Sequence, residues 1–206
     1  MSKSLGNSPD PLDLIDKFGA DGVRVGLLLS ASAGNDIMFD EELCSQGKAF
    51  SNKIWNAYRL IKGFNTDPEA KAPESSVIAA RWFESLLSYN IEIIEDHFEK
   101  FRISDALMTL YKLFWDDFCA LYLEIIKPPF GKPMDIQTYN ITAGFLEDLL
   151  KLLHPFMPFI TEELWQNICE RKDGESIMIE LQPVSKPYSA DLIKDFEMLK
   201  EIIAGV

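Results

Sequence analysis

Asp40-Glu41-Glu42-Leu43-Cys44-Ser45-Gln46-Gly47-Lys48-Ala49-Phe50-Ser51-Asn52-Lys53-Ile54-Trp55-Asn56-Ala57-Tyr58-Arg59-Leu60-Ile61-Lys62-Gly63 carries the signals for both ends of one helix. Asp40 suits the N-cap, where a short carboxylate accepts from otherwise unpaired backbone N–H groups. Glu41 and Glu42 fall in the first turn, at the positive end of the helix dipole. Gly63 supplies the stop. Turned at about 100° per residue, Phe50, Ile54, Ala57, Tyr58 and Ile61 gather on one side, the expected core face. Lys48, Asn52, Trp55, Arg59 and Lys62 gather on a narrow opposite stripe.

The same signals extend outward. Residues 1–11 have turn chemistry throughout, and two short helices follow near 11–18 and 20–32, separated by Gly19. A bend occupies 33–36. Beyond Gly63, residues 64–76 read as a linker and 77–101 as a long helix. Ser104 is placed to cap the next helix, which runs to Lys127 and is ended by Pro128-Pro129. A loop leads to a helix over 136–153, broken by His154-Pro155 and Pro158. A shorter helix over 161–171 and a turn at Lys172-Asp173-Gly174 come next. Ser-Ile-Met-Ile-Glu-Leu at 176–181 is the one good strand candidate, and 190–204 reads as a last helix. The expected fold is all-α, an up-and-down helix bundle with a small strand-containing C-terminal appendage. Its parts are residues 1–36, a loop and junction helices; 37–172, the bundle; and 173–206, the appendage.

Composition narrows the function classes. Of the 206 residues, 47% are hydrophobic, enough for a substantial core. No run approaches the ~20 apolar residues that cross a bilayer, and the polar N-terminus is no leader peptide. A cytoplasmic protein without a membrane partner is expected. Cys44, Cys119 and Cys169 form no CxxC pair, so reduced thiols are expected and no metal. There is no GxGxxG, P-loop or HExxH, and a self-contained active site is not expected. His97 and Asn90 fall on the apolar face of the 77–101 helix, where a hydrogen-bonded core histidine is the plain reading. Phe114, Trp115, Phe118 and Tyr122 are expected in the core, His154 at a helix break, and Glu92, Glu95, Asp96, Asp116 and Asp117 on solvated faces.

The net charge of −13 counts against a broad nucleic-acid surface, because Lys and Arg carry phosphate binding. Any such contact has to use a local basic stripe. Lys48, Asn52, Arg59 and Lys62 form one, and Trp55 among them can stack on a base. The plainer alternative is that the cations solvate the helix and Trp55 packs under a neighbour. Lys53 and Arg24 are weaker candidates, since an arginine there can simply pair with Asp21 or Asp40. The loop Met1-Ser2-Lys3-Ser4-Leu5-Gly6-Asn7 could swing an ammonium onto a phosphate. On residue chemistry alone an unstructured terminus is the simpler reading of it.

Met1-Ser2-Lys3-Ser4-Leu5-Gly6-Asn7-Ser8-Pro9-Asp10-Pro11 resembles the KMSKS signature of class I aminoacyl-tRNA synthetases and its usual continuation. Gly19-Ala20-Asp21-Gly22-Val23-Arg24 resembles the helix that follows in the valyl, isoleucyl and leucyl enzymes. Phe50 to Arg59, Phe114 to Cys119 with Tyr122-Leu123-Glu124 and Lys127, and His154 to Trp165 extend the match in order. Asn-Lys-x-Trp-Asn-Ala-x-Arg and Phe-Cys-x-x-Tyr-Leu-Glu-x-x-Lys make the resemblance valyl, although Ala120-Leu121 departs from the more polar pair usual there.

The resemblance implies a module that grips the anticodon arm of tRNA(Val), with no DNA partner, in a ligase that activates valine with ATP and Mg²⁺. It implies that Lys3 is the signature's second lysine, catalytic and ATP-binding, with Ser2 and Ser4 supporting it. With the stripe read in that light, the candidate tRNA-contacting residues are Lys48, Asn52, Trp55, Arg59 and Lys62, with Arg24 and Lys53 as the weaker ones. It implies catalytic and editing domains upstream and a coiled-coil arm downstream of this chain, which by itself is expected not to aminoacylate. The same module of an isoleucyl or leucyl enzyme, or a helical protein-interaction scaffold, are the alternatives.

Overall fold

The computed structural model describes residues 9–31 and 39–204. Ser2, Lys3, Ser4 and the bend expected at 33–36 lie outside them.

Short carboxylate caps start three helices. Asp10 accepts from the Leu12 N–H and opens α1 (Pro11–Phe18), which Gly19 ends at φ +78°. After α2 (Ala20–Ser30), Asp40 accepts from the Glu42 N–H and opens α3 (Glu41–Lys62), which stops at Gly63. Asp135 accepts from the Thr138 N–H and opens α7 (Ile136–Leu153). Between them lie β1 (Thr66–Asp67), α4 (Glu74–Glu99), α5 (Ile103–Lys112), α6 (Leu123–Ile126) and β2 (Met134–Asp135). α8 (Pro158–Ile168) and α9 (Ala190–Ala204) complete the chain.

The long helices lay one face each on a shared core. Trp82, Phe83, Phe114, Phe118, Tyr122, Leu149 and Trp165 are buried there, with Ile177 and Phe196 of the C-terminal segment. The Tyr122 hydroxyl meets the Thr142 Oγ1 at 2.8 Å. Thr142 spends its own proton on the Thr138 carbonyl, so the tyrosine donates. Burial pushes the Tyr122 phenol up to about 12. A smaller cluster of Leu14, Phe18, Val23 and Cys44 joins α1, α2 and the start of α3.

Several expectations need correction. The segment 176–181 is not a strand: Ile177–Ile179 form a 3₁₀ turn with extended flanks. A strand needs a partner, and none lies beside this segment among the described residues. The one described ladder is instead the short parallel pair Thr66↔Met134 and Asp67↔Asp135. Ser104 caps nothing; its hydroxyl reaches the carbonyls of Leu28, at 2.6 Å, and Ala31 where α2 ends. The helix expected to run unbroken to Lys127 changes its winding, becoming a π-helix over Leu113–Tyr122 between α5 and α6. Residues 158–168, not 161–171, form α8, because a proline at the first helical position leaves no N–H to lose.

Asp117 is not solvated. Its carboxylate pairs with Lys200 of α9, whose ammonium lies 5.7 Å from the Trp82 ring. Burial pushes the Asp117 carboxyl above its ordinary range. The buried Nδ1 of His97 has no hydrogen-bond partner among the described residues, so this is not the satisfied core histidine expected. Trp115 is half-buried rather than core, stacked on Tyr111 at 5.4 Å.

The break between α7 and α8 is held from a distance. The Asp21 carboxylate accepts from the backbone N–H of Phe159 at 3.3 Å and Ile160 at 2.7 Å. It thus caps α8, which has no side-chain cap of its own. Arg24 donates to the carbonyls of Pro155 at 2.9 Å and Phe156 at 3.0 Å. His154 Nδ1 meets the Thr161 Oγ1 at 2.8 Å across the same break.

Burial holds the His154 imidazole below its ordinary pKa, Arg24 adds to this, and Glu162 and Asp21 oppose it. The folded chain therefore takes up this proton less readily than the unfolded chain. The stability tied to neutral His154 is full above about pH 6.5 and is lost as pH falls through the depressed folded pKa. Urea unfolding at about pH 7 and about pH 5.5 checks this: His154→Gln should show a smaller loss between the two than wild type. Equal losses would mean that His154 is not coupled to folding.

Candidate nucleic-acid interface

Helix α3 presents the two faces that its sequence dictates. Phe50, Ile54, Ala57 and Ile61 are buried, and Lys48, Asn52, Trp55, Arg59 and Lys62 are all exposed. Trp55 keeps 41% of its surface open and leans on Tyr58 with ring centroids 6.0 Å apart. It is not covered by a neighbouring helix. The stripe is also more purely basic than its own residues suggest, because no acidic residue occurs between Glu42 and Asp67. That stretch holds four cations in a chain whose net charge is −13. The missing acids are a sequence signal that the helical wheel alone does not bring out.

The cations differ in what already holds them. Lys48 Nζ donates to the Lys17 carbonyl at 2.8 Å, where α1 ends, and Lys62 Nζ to the Ile168 carbonyl at 3.3 Å, where α8 ends. Helix C-termini leave carbonyls unpaired, and a nearby ammonium satisfies them. Each lysine keeps further N–H groups for a phosphate, since an ammonium has three donors. Tyr58 assists at the second site by donating to the Asn167 carbonyl at 3.1 Å. Lys53 leaves the stripe and lies over Trp115, 5.1 Å from the ring centre. Arg24 is committed to the α7–α8 break and pairs with neither Asp21 nor Asp40 through a hydrogen bond. The Arg59 guanidinium has no hydrogen-bond or ion-pair partner among the described residues. It is the cation freest to meet a ligand. The structure thus brings Lys48, Asn52, Trp55, Arg59 and Lys62 onto one face and sets Lys53 and Arg24 apart from it.

Among the described residues no three His, Cys, Asp or Glu side chains converge as metal ligands, and no helix is long and apolar enough to cross a membrane.

Comparison with known proteins places the chain as a whole in a lineage. Residues 80–206, more than half of the chain, match the family described as anticodon-binding domain of tRNA ligase. Residues 1–40 match the family described as tRNA synthetases class I (I, L, M and V). The whole chain is 57% identical to a valine–tRNA ligase of Phocaeicola vulgatus and 55% identical to one of Christiangramia forsetii. It covers 23% and 24% of those two proteins. A valine–tRNA ligase of Fusobacterium nucleatum is 39% identical, again with all of this chain and 24% of the relative covered. The chain therefore spans about a quarter of the length of the curated relatives it matches. Among solved structures, Agrobacterium radiobacter LeuRS, in a ternary complex with tRNA and LeuAMS, superposes with a TM-score of 0.63. That match covers 94% of this chain and 22% of the other at 24% identity, a likeness of fold alone.

Proposed function

From the premise that this chain belongs to the family of anticodon-binding domains of tRNA ligases, we propose that it is the anticodon-arm module of a valine–tRNA ligase. The observation that carries the reading is its identity with valine–tRNA ligases along its whole length. The exposed basic stripe of α3 supplies the surface such a module needs. In this reading Arg59, Lys48 and Lys62 follow the phosphate backbone of tRNA(Val), while Asn52 and Trp55 meet bases opened in the loop. Lysines and arginines fix register on the backbone, and stacking and amide contacts read unpaired bases.

The whole ligase would activate valine with ATP and Mg²⁺ in the cytoplasm, in domains that this chain joins. Residues 1–36 would form the junction, with Lys3 contacting ATP beside Ser2 and Ser4. The bundle itself then does geometric work: gripping one end of the tRNA places the other end at a distant centre.

Binding titrations at low and moderate salt test the reading, with a valine tRNA transcript and an anticodon-swapped transcript. Wild type should prefer the valine anticodon. Arg59→Glu should weaken binding at least about tenfold, and the Lys48→Glu/Arg59→Glu double variant should flatten the salt dependence by about two phosphate contacts in total. Equal binding of both transcripts by wild type, or unchanged binding by the double variant, would overturn it.

A further inference from the structure

Beyond the end of α3 the chain builds a second feature that the stripe does not use. Lys127-Pro128-Pro129-Phe130-Gly131-Lys132-Pro133 leaves α6 and makes a tight turn, in which the Lys132 N–H donates to the Pro129 carbonyl at 2.9 Å. Phe130 and Gly131 are the central residues of that turn, and Gly131 sits at φ +75°. Three prolines remove most of the backbone freedom around it. The strand pairing just beyond pins the turn to the exit of α3: the Met134 N–H donates to the Asn65 carbonyl at 2.8 Å, and Met134 is buried.

The result is an unusual side chain. Phe130 is fully exposed, at 106% of its reference surface. A large aromatic ring is normally buried for its apolar area. Here a rigid, anchored turn holds it in water. Between this ring and Gly63, Phe64 and Asn65 lies a cleft of 350 Å³, at the small end of ligand-sized sites. Lys132, whose ammonium has no carboxylate partner among the described residues, lines the same cleft. Lys127 is paired with Glu124 at 2.6 Å and contributes less. The cleft is walled on one side by Gly63, which directly follows Lys62 of the stripe and ends α3. α3 ends here in carbonyls, so its backbone cannot hold an anion, and the lysine side chains must.

We infer that Phe130 is a stacking platform for one unpaired base of the RNA that lies along α3, with Lys132 holding an adjacent phosphate. A ring face on a positively charged track is how proteins hold single-stranded bases without reading their edges. The inference rests on the anticodon-arm reading, and it adds a contact from outside α3.

The test uses this chain and an RNA stem-loop with the tRNA(Val) anticodon arm sequence. A fluorescent base analogue that is quenched on stacking is placed at each loop position in turn. Wild type should quench one loop position. Phe130→Ala should abolish that quench and weaken binding roughly five- to hundredfold. Phe130→Tyr should restore both, and Phe130→Leu, apolar but without a ring, should not. The salt dependence should stay unchanged in Phe130→Ala, because no phosphate contact is lost, and fall in Lys132→Gln. A fully paired duplex of the same arm should bind both proteins alike. Unchanged melting of the variants checks that the loop, and not the fold, was altered.

If wild type binds the stem-loop and Phe130→Ala binds it equally well, stacking is overturned while the anticodon-arm reading stands. If Phe130→Leu binds like wild type, the residue is an apolar contact, and the stacking platform is likewise overturned. If wild type binds no RNA, both fall together.

Discussion

Gly47→Ala is expected to destabilise the chain by about 3 kcal/mol, read as a lowered urea midpoint at unchanged slope. The reason is the crossing of α2 and α3, where backbone meets backbone. A Cβ on Gly47 would lie 2.5 Å from the Gly22 carbonyl oxygen and 2.9 Å from the Val25 Cβ. Neither is the far end of a flexible side chain, so the helices themselves must move. Gly26 faces Cys44 in the same way, with a Cβ 2.7 Å from the Cys44 backbone nitrogen. Separating the helices would open the small cluster of Leu14, Phe18, Val23 and Cys44, and then the core at Val25. Gly144→Ala is the control of opposite sign. It lies inside α7 with nothing within 4 Å of its added Cβ. There the same change should stabilise by about 0.5–1 kcal/mol, because alanine loses less backbone entropy in a helix. If Gly47→Ala melts like wild type, the close crossing is not what fixes these helices.

Asp21→Ala should cost about 2 kcal/mol, more than an ordinary surface cap, because the carboxylate is 7% exposed and two backbone N–H groups depend on it. Burial lifts its carboxyl above the ordinary range in spite of those two donors. What the start of α8 uses is the carboxylate's two acceptor oxygens, one for each N–H. Asp21→Asn keeps an acceptor for the shorter bond, from Ile160, but sets an amide donor against the Phe159 N–H, so it should lose stability but less than Asp21→Ala. Arg24→Ala should cost about 1.5–3 kcal/mol by freeing the Pro155 and Phe156 carbonyls. Both side chains hold one break, so the double variant should lose less than the two single losses added together. Additive losses in equilibrium unfolding would show that they act separately.

That clamp also gives physical content to two motifs. Gly-Ala-Asp-x-x-Arg and His-Pro-Phe-Met-Pro-Phe-Ile-Thr stand well over a hundred residues apart in the chain. In the fold the first closes the hydrogen bonds that the prolines of the second leave open. Asp21 supplies acceptors to the start of α8 and Arg24 supplies donors to the Pro155 and Phe156 carbonyls between α7 and α8. Arg24 thus spends two of its donors on this break, away from the basic stripe of α3.

The parts legible from sequence share one cause. α7 and α9 occur over the residues expected, and α3 begins and ends at Asp40 and Gly63, because helix hydrogen bonds and caps are local. The two faces of α3 follow from the helical period in the same way. What the tertiary structure decided is what depends on a distant partner. The 176–181 segment has strand residues but no neighbouring strand, so only Ile177 is buried, and its apolar neighbours Met178, Ile179 and Leu181 stay exposed. Ser104 caps no helix because α5 already begins at Ile103, and its hydroxyl donates instead to the carbonyls where α2 ends. Asp117 left the solvent because α9 returned with Lys200. The stripe on α3 was written in its sequence as a set of cations. Only the packing of α1 and α8 against it determined that Lys48 and Lys62 each spend a donor on a helix end while Arg59 spends none. A side chain's class is local information, but its remaining hydrogen-bonding capacity is set by whatever the fold brings to it.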